Sequence, residues 1–590
     1  MTTGEVLLQY QQRIGELQDA LGIIQHRQSA TLAIALLAVI ITIAAGFFAY
    51  SRRIIPTWSP AATLPPLLLT LRHHKGLRRQ AQTTARLHAH YSRAQHRMEG
   101  NSDGPQGTEF QPANHPFASD LSLFGPASLY QRICTARTHI GQQRLGLYLT
   151  EPATREEALQ RQQAVRELAP LTALREQIAL LGSYDTQESR SHTFAAWLDT
   201  PFANYPRSLR VYLLISSICL LAMSLAAAVA PAALWPILSR PIIACAATQA
   251  ILGAFLLRWV RATLAAAAPF AHEVSLMREG LALLERQQFS SPKLTALAQR
   301  ARNADRIIAQ LDPAFLVLTQ RTKEWLFHLS LWLALGTQAA LAIEAWRKQH
   351  RAALLGWLDA WAEFEALQSL AAYAYENPED CWPELTIGDA FFDASQLGHP
   401  LLPRERCVRN DVALGPTTPF WVISGSNMSG KSTLLRSIGL ASVLAQCGAP
   451  VRAAALKLST LRVHAAISLN DSLQEGKSRF LAEVQRLRDT LEASIHNPVL
   501  FLIDEIFSGT NSRDRQLAAD AVIATLTARH AIGAISTHDI ALASIAAHGG
   551  ANVHMASSGS HPLDFDYRIK SGVTPETNAI EIARMAGVPV

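Results

Sequence analysis

The residues whose types and spacing most clearly indicate a chemical role lie between positions 421 and 433, which read WVISGSNMSGKST. An apolar run ends there in the spacing of glycine, four residues, glycine, lysine and serine that is typical of a phosphate-binding loop. Glycines let backbone N–H groups curl around phosphate oxygens, and the following helix directs its positive N-terminal end at the anion. We expect the lysine to contact the β- and γ-phosphates and the serine to offer its hydroxyl to Mg²⁺. The predicted nucleotide-binding residues are Gly425, Ser426, Asn427, Met428, Ser429, Gly430, Lys431, Ser432 and Thr433.

Two acids follow a second apolar strand pattern, LFLIDE, at residues 500–505. We expect Asp504 to hold Mg²⁺ through water and Glu505 to polarise the attacking water. A third apolar run, AISTHD, places His538 where it is predicted to sense the γ-phosphate. An acid pair at a strand end is usually only solvated, and a lone histidine is usually structural. These assignments therefore depend on the order of all the elements, which is the order found in ABC-type ATPases.

Between the loop and the acids, residues 468–487 read SLNDSLQEGKSRFLAEVQRL, in which Ser478 opens an amphipathic helix pattern. A serine at a helix start is normally just a cap. The functional alternative is that Ser478 contacts the γ-phosphate of a nucleotide bound to a partner subunit, and this is the role we predict.

The composition predicts contact with lipid, because 49% of the residues are hydrophobic and only 17% are charged. The net charge of +6 is concentrated in residues 51–100, where nine Lys or Arg face the single acid Glu99. That window lies beside an apolar stretch, so a cytoplasmic membrane flank explains it better than a DNA-binding face. The six cysteines are scattered without C-x-x-C spacing, which argues against a zinc site or a disulfide framework and suits a reducing compartment.

Two apolar regions are long enough to cross a bilayer. Arg27 and Arg52 enclose 24 uncharged residues; Arg210 and Arg240 enclose 29, and 17 more precede Arg258. The second region predicts a hairpin of two crossings with its turn at prolines 231, 236 and 241, although a buried core hairpin is the alternative.

Two further apolar stretches are less clear. Residues 56–71, PTWSPAATLPPLLLTL, are either a second crossing beside the first or an interfacial segment. The run at 325–343 contains His328 and is predicted to be a buried or long packed helix rather than a crossing.

The segments GSNMSGKST, NDS…GKSRF…E, LIDEIFSGTNS and STHD together resemble the MutS family of DNA mismatch-repair ATPases. Residues 123–168 and 567–589 are similar to other parts of the same family. The resemblance implies ATP and Mg²⁺ as cofactors, a homodimer through the ATPase domains with Ser478 acting in trans, and lever movement coupled to ATP. It also implies binding of mismatched or branched DNA.

The sequence departs from the family in several places. Nothing resembles the mismatch-recognition domain or its Phe-x-Glu motif, and apolar segments occupy the region where lever helices would carry a DNA clamp. The signature block reads GKSRF where the family usually has GRSTF. We therefore expect a membrane-anchored MutS-like subgroup that lacks the mismatch-recognition domain.

The predicted fold is multidomain: an α-helical core and lever region with transmembrane helices, followed by an α/β P-loop ATPase domain of ABC type with a mostly parallel sheet. Leucine and alanine at helical spacing predict long helices on both sides of the membrane hairpin. The expected divisions are an N-terminal helical segment at 1–30, a membrane anchor at 31–75, a basic helix and linker at 76–114, core helices at 115–209, a transmembrane hairpin at 210–260, return helices at 261–400 and the ATPase domain at 401–590.

Two functions stay open. One is an ATPase whose levers bind mismatched or branched DNA, and the other is a mechanical or regulatory membrane ATPase that does not bind DNA. Both place a multi-pass protein in the cytoplasmic (inner) membrane, with lipid as a partner and the ATPase domain in the cytoplasm. A small-molecule ABC transporter is disfavoured because few crossings are visible and no LSGGQ sequence occurs.

Overall fold

The computed structural model of the chain describes residues 1–51, 56, 58–101, 103–182, 207–229, 235–320, 330, 333–426, 428–467, 479–508, 510–555 and 565–574. The chain divides into two compact units. The first contains Met1–Thr135, Gln143–Leu180 and Ala366–Val590, and the second contains Ala136–Gln142 and Leu181–Glu365.

Helices dominate the chain up to residue 376. The α-helices in the described ranges are α1 Thr3–Tyr50, α2 Ser59–Met98, α3 Leu129–Ile133, α4 His139–Thr150, α5 Arg155–Leu168, α6 Thr172–Leu180, α7 Arg207–Val229, α8 Trp235–Arg286, α9 Pro292–Arg300, α10 Ala304–Ile308, α11 Asp312–Gln320, α12 Leu335–Glu376, α13 Lys431–Cys447, α14 Arg479–Ala493 and α15 Ser512–Ala528. Short 3₁₀ turns occupy Thr108–Phe110, Ala309–Leu311, Arg404–Arg406 and Ile540–His548.

Among the described residues, the strands all follow α12 and form two sheets. They are β1 Glu384–Thr386, β2 Phe392–Leu397, β3 Asn410–Leu414, β4 Phe420–Gly425, β5 Ala455–Ser459, β6 Arg462–Ala466, β7 Val499–Asp504, β8 Ile532–Thr537, β9 Ala551–Met555 and β10 Lys570–Ser571. One sheet has the order β10-β9-β4-β8-β7-β6, and the other has the order β1-β5-β2-β3.

The six-stranded sheet is parallel apart from β10, which pairs antiparallel with β9. Its central strands β4 and β8 are buried at every position, as expected for a parallel sheet covered on both faces. Val422, Phe501 and Ile535 belong to one core cluster that also receives residues of α15. The predicted parallel sheet is therefore present in this part of the chain.

The four-stranded sheet was not anticipated from the sequence. It is mixed, because β2 pairs antiparallel with both β3 and β5 while β1 pairs parallel with β5. The α/β part of the chain thus begins at Glu384 rather than after the expected boundary at residue 400.

Helix α1 unites a polar and an apolar stretch that the sequence presents as two segments. It begins with a capping box in which Thr2 Oγ1 accepts the Glu5 N–H at 3.2 Å and the Glu5 carboxylate accepts the Thr2 N–H at 2.8 Å. Helix α2 is also longer than expected, since it starts at Ser59 and continues through Pro65 and Pro66. Each internal proline removes one intrahelical hydrogen bond, a cost that packing of α2 along α1 offsets.

The two helices run antiparallel and are fixed at their base to the end of α12. The Tyr10 ring of α1 lies 5.3 Å from the Tyr91 ring of α2 and 6.1 Å from the Tyr375 ring. Arg97 Nη2 donates to Glu376 Oε1 at 2.6 Å, and both side chains of this ion pair are buried. The α1–α2 hairpin is therefore docked on the end of α12 by stacking and by a buried charge pair.

Among the described residues, three helical segments are long and apolar enough to cross a membrane by length and composition: Thr3–Tyr50, Ser208–Val229 and Trp235–Ala267. An 18-residue window of each has a mean hydropathy of 2.7, 2.2 and 1.6, respectively. Helices α7 and α8 contact each other through polar groups, with Gln249 Nε2 donating to Ser216 Oγ at 2.6 Å. Leu213 and Leu220 of α7 are buried, but many of the other large apolar side chains of the two helices are exposed, and Phe255 is 85% exposed. That exposure is contrary to the buried core hairpin considered as the alternative.

The turn predicted between α7 and α8 falls partly outside the described residues. Pro231 is not described, whereas Pro236 and Pro241 lie in the first two turns of α8. Helix α8 continues to Arg286, well beyond the expected end at residue 260. The apolar run 325–343 is only partly described: its end forms the start of α12, where Ala340 and Ile343 are buried.

The expectation of long helices before the membrane hairpin is wrong for residues 117–180. This stretch forms four short helices, α3 to α6, separated by turns. Pro152 and Pro170 explain two of the interruptions, because proline cannot continue a preceding helix and Thr154 caps the next one through the Glu157 N–H.

The docked base of the hairpin gives a first prediction. Replacing Arg97 with Met leaves Glu376 buried without its cation, which is expected to weaken the docking of α2 by about 3 kcal/mol. Amide hydrogen exchange in the last turns of α2 should then accelerate by about two orders of magnitude. Arg93→Met, one turn earlier at an exposed position, is the matched control. Unchanged exchange in the Arg97 variant would contradict the role of the ion pair.

Candidate functional site

The predicted phosphate loop follows the central strand of the parallel sheet. Strand β4 pairs with β8 on one side and with β9 on the other, and its last residue, Gly425, is in register with Met555 of β9. Gly425 has φ of 151°, and a Cβ atom there would lie 2.4 Å from the Met555 carbonyl oxygen. Only glycine fits this close approach, which fixes the start of the loop against β9.

The loop ends at Gly430, where the backbone turns into α13. Gly430 has φ of 99° and occupies the N-cap position of α13 without a side-chain cap from any described residue. The first backbone N–H groups of a helix lack intrahelical partners, so this end of α13 is suited to an anion. Met428 also has a positive φ, 66°, and its side chain is 79% exposed.

Lys431, the first residue of α13, is folded back over the loop. Its Nζ donates to the carbonyl oxygens of Gly425 at 3.0 Å and Ser426 at 2.7 Å. Burial lowers the pKa of Lys431 to about 8, while the charges of Asp504 and Glu505 act in the opposite direction. The site thus holds a cation that is poorly solvated and would gain from a bound phosphate.

Asp504 links the phosphate loop to the sheet. It ends β7 and accepts a hydrogen bond from Ser432 Oγ at 2.5 Å and another from Ser536 Oγ on β8. The serine predicted to reach Mg²⁺ and the acid predicted to hold it are therefore in direct contact.

Glu505 and His538 form the second pair. Glu505 leaves the strand with φ of 57°, and its N–H donates to the Ser536 carbonyl at 3.0 Å. His538 Nε2 lies 2.9 Å from Glu505 Oε1, and both side chains are partly exposed. The histidine following β8 therefore orients the carboxylate following β7.

These groups face one cavity of about 720 Å³, a size typical of small-molecule sites. Its wall includes the loop from Met428 to Thr433, Asp504, Glu505 and His538. Gly425 and Ser426 lie beneath the loop as hydrogen-bond acceptors for Lys431. Asn427 and Ser478 lie outside the described residues, so their predicted roles stay predictions.

Comparison with known proteins agrees with this geometry. The family model for MutS domain V matches residues 421–590, the region that contains the loop, both acids and His538. The chain is 31% identical over 304 residues to the DNA mismatch repair protein MutS 2 of Halobacterium salinarum, covering 49% of this chain and 33% of that protein. Residues 421–590 are therefore identified as a MutS domain V.

Two other relatives show the same partial coverage. The DNA mismatch repair protein MutS of Thermotoga maritima is 30% identical, over 41% of this chain and 31% of its own length. The Endonuclease MutS2 of Thermus thermophilus is 37% identical, over 32% of this chain and 26% of its own length. The chain thus aligns with about a third or less of each of these curated MutS-family relatives.

The MutS-type site contains supporting residues that the sequence analysis did not single out. Glu483 on α14 is buried and accepts the Phe507 N–H, while Arg515 on α15 donates to the Phe507 carbonyl at 3.0 Å. Together they clamp the segment that follows Glu505. In the sequence, Glu483 is the acid of the GKSRF…E block, which indicates the family resemblance but not this contact with Phe507.

The MutS-type cavity is also lined by residues outside the predicted set. They are Leu397, His399, Leu402, Arg406, Val408, Asn410, Met555, Phe565, Asp566 and Tyr567. Burial, together with nearby Arg436 and Arg452, lowers the pKa of His399 to about 4, so this imidazole is neutral near pH 7. The Asn410 side chain holds the C-terminal segment by donating to the Tyr567 carbonyl at 3.0 Å and accepting the Ile569 N–H at 2.8 Å.

The pKa of Lys431 predicts how nucleotide affinity depends on pH in this MutS domain. A bound phosphate favours the protonated lysine. Raising the pH from 7 to 9 lowers the protonated fraction of Lys431 in free sites from about nine tenths to about one tenth. Affinity for a fluorescent ATP analogue should therefore fall about tenfold over that range. Lys431→Arg keeps its charge and should show no such fall across the same pH interval. Equal affinity of the wild-type chain at both pH values would refute the lowered pKa.

Proposed function

We propose that this MutS-family chain binds and hydrolyses ATP in the cavity between the phosphate loop and His538, and that its apolar helices hold it in a membrane. The observation that carries the proposal is the convergence of the buried Lys431, the Ser432–Asp504 contact and the Glu505–His538 pair on one cavity. Family membership suggests an ATPase involved in mismatch repair or related DNA processing.

The residues fit a Mg²⁺ ion. Ser432 Oγ and Asp504 Oδ2 offer a hydroxyl and a carboxylate oxygen at one point of the cavity, which are hard ligands of the kind that Mg²⁺ prefers. No cluster of three or more His, Cys, Asp or Glu side chains occurs among the described residues, so the ion would share its coordination with phosphates. When bound, Mg²⁺ would neutralise charge on the β- and γ-phosphates.

The chain's own groups supply the remaining steps. Lys431 and the N-terminal N–H groups of α13 hold the phosphates, and the hydroxyl of Ser429, which is buried with no hydrogen-bond partner among the described residues, is available at the same loop. Glu505 orients a water and accepts its proton as the water oxygen bonds to the γ-phosphorus. The bond to the β–γ bridging oxygen breaks, and ADP and phosphate leave. His538 keeps the Glu505 carboxylate in place.

The geometry also favours a place for the nucleoside. Apolar and aromatic side chains also line the cavity, among them Leu402, Val408 and Tyr567. His399 Nδ1 accepts the Leu401 N–H at 3.3 Å, which leaves the Nε2–H as a neutral donor at the cavity wall. A flat heterocyclic base with hydrogen-bond acceptors suits such a surface.

Further parts of the proposal extend the family's properties to this chain. Two copies would associate through their ATPase domains, with Ser478 of each completing the other's site. The exposed apolar faces of α1, α7 and α8 support insertion in the cytoplasmic membrane, with the ATPase in the cytoplasm. ATP binding would then move the lever helices by favouring one of two conformations.

The assignment of Glu505 is tested by replacing it with Gln. The variant should bind ATP like the wild-type chain, because the phosphate contacts are intact. Its turnover should fall by about 10² to 10⁴-fold, the usual contribution of a general base. Phosphate release and analogue binding are measured on the detergent-solubilised full chain.

Three further variants complete that experiment. Lys431→Ala should lose binding itself, and His538→Ala should lower turnover less than Glu505→Gln, since the carboxylate remains. Glu492→Gln, an exposed acid on α14, is the matched control. Turnover within twofold of the wild type in Glu505→Gln would remove this residue from the role.

DNA binding is a second candidate, favoured by the similarity to proteins named as DNA mismatch repair proteins. If the lever helices bind DNA through its phosphates, the affinity of the solubilised chain for mismatched or branched duplexes should fall by at least tenfold between 50 and 200 mM salt. Fluorescence anisotropy with perfectly paired duplex as the comparison measures this. Absence of binding at 50 mM salt would leave the membrane ATPase without a DNA substrate.

A further inference from the structure

The stretch between Asp19 and Glu99 contains ten Lys or Arg residues and no acid. It covers most of the α1–α2 hairpin. Four of the ten cations, Arg72, Lys75, Arg78 and Arg79, fall within eight consecutive residues of α2. They begin directly after Leu71, the last residue of the uncharged start of that helix. We call these four residues the basic collar.

The basic collar points away from the partner helix. At about 100° per residue, Arg72, Lys75 and Arg79 lie within roughly 60° of one another on the helix surface. Leu77 lies on the opposite side of α2 and is buried. All four collar side chains are exposed, and across the described ranges no carboxylate pairs with any of them. The collar is therefore a concentrated positive charge without a counter-charge among the described residues.

The level of the basic collar along the hairpin follows from the pairing of its helices. Tyr10 lies against Tyr91 at the base, while at the tip α1 ends at Tyr50 and α2 begins at Ser59. Arg27 of α1 is therefore level with roughly Leu77 of α2. His26 and Arg27 are exposed as well, so cations of both helices stand at one height.

The side chains beyond this height are apolar and exposed. On α1 they include Leu36, Ile40 and Ile43, and on α2 they include Leu68 and Leu69, each between 58% and 68% exposed. From Gln28 to Tyr50, α1 extends about 34 Å, close to the thickness of the hydrocarbon core of a bilayer. The basic collar therefore marks the lower edge of an apolar tip of membrane-spanning length.

We propose that the basic collar binds the phosphate groups of acidic phospholipids at the cytoplasmic surface of the membrane. The inference rests on the proposed insertion of the apolar tip, because that insertion sets the collar at headgroup depth. Guanidinium and ammonium groups donate hydrogen bonds to phosphate oxygens, and the negative surface potential of an acidic leaflet adds to the attraction.

The distribution of available cations favours lipid over nucleic acid. Nearer the base of α2, Arg97 is buried against Glu376, and Arg93 donates to the carbonyl of Ala89 in its own helix. Four exposed cations of α2 lie instead in the two turns that adjoin the apolar tip. A nucleic-acid duplex at that position would have to lie against exposed leucine side chains. A membrane instead places its acyl chains beside the apolar tip and its headgroup phosphates beside the basic collar.

The test uses the full chain in nanodiscs containing equal amounts of phosphatidylglycerol and phosphatidylcholine. Lipids retained by the protein after gentle release are counted by native mass spectrometry. A cation near the surface contributes about fivefold to acidic-lipid binding, so the wild-type chain should retain phosphatidylglycerol over phosphatidylcholine by at least about fivefold. The variant Arg72→Gln, Lys75→Gln, Arg78→Gln, Arg79→Gln should retain the two lipids nearly equally.

The matched control is Arg302→Gln, Lys457→Gln, Arg462→Gln, Arg488→Gln, which removes three Arg and one Lys from exposed positions outside the α1–α2 hairpin. It should keep the wild-type lipid ratio. Equal loss of preference in both variants, or a preference unchanged in the collar variant, would overturn the proposal.

Two parallel measurements separate this proposal from the function on which it rests. If alkaline carbonate extracts the wild-type chain from membranes, the proposed membrane anchoring is refuted, and the proposed lipid binding by the basic collar is refuted with it. A chain that resists extraction but shows no acidic-lipid preference would refute the collar alone. If the collar variant instead loses salt-sensitive binding of duplex DNA while lipid retention is unchanged, the collar is a nucleic-acid surface.

Discussion

The parallel register of three buried strands is the constraint on which the site depends. Strands β4, β8 and β7 lie side by side, so Gly425, Thr537 and Asp504 end at the same edge of the sheet. Since β8 lies between them, β4 and β7 are about 10 Å apart. The first turn of α13 crosses that gap, and Ser432 reaches Asp504. A shift of register would separate the phosphate loop from both carboxylates.

The same edge concentrates charges whose burial is unfavourable in isolation. Lys431 is mostly withdrawn from water and is held by two loop carbonyls rather than by an ion pair, with burial lowering its pKa. The loop is thus organised around a cation before any anion arrives, and a bound phosphate would replace the missing solvation. Asp504 is satisfied differently, by two hydroxyl donors, Ser432 and Ser536. Loop and acid are consequently preset, and little rearrangement is required for binding.

The sequence was informative where chemistry imposes fixed spacing and uninformative where partners are distant. The loop, the acids after β7 and His538 after β8 were found because short apolar runs ending in polar residues indicate strand ends at one edge. Strand β2 was missed because its polar residues and its irregular register after Ala394 obscure the alternation, and its partner β5 lies about 60 residues away. The cavity wall around His399 and Tyr567 was missed for the same reason, since segments remote in sequence form it.

A short segment of the first unit joins the base of the α1–α2 hairpin to the rim of the cavity. Glu376, which pairs with Arg97 of α2, is followed four residues later by Asp380, which pairs with Arg404 at 2.6 Å. Arg404 opens the 3₁₀ turn that ends at Arg406, and Arg406 lines the cavity. Both ion pairs are largely buried, so breaking either one would leave a buried charge without its partner. A nucleotide that displaced this rim would therefore strain the docking of the hairpin, and a hairpin fixed in a membrane would in turn resist that displacement.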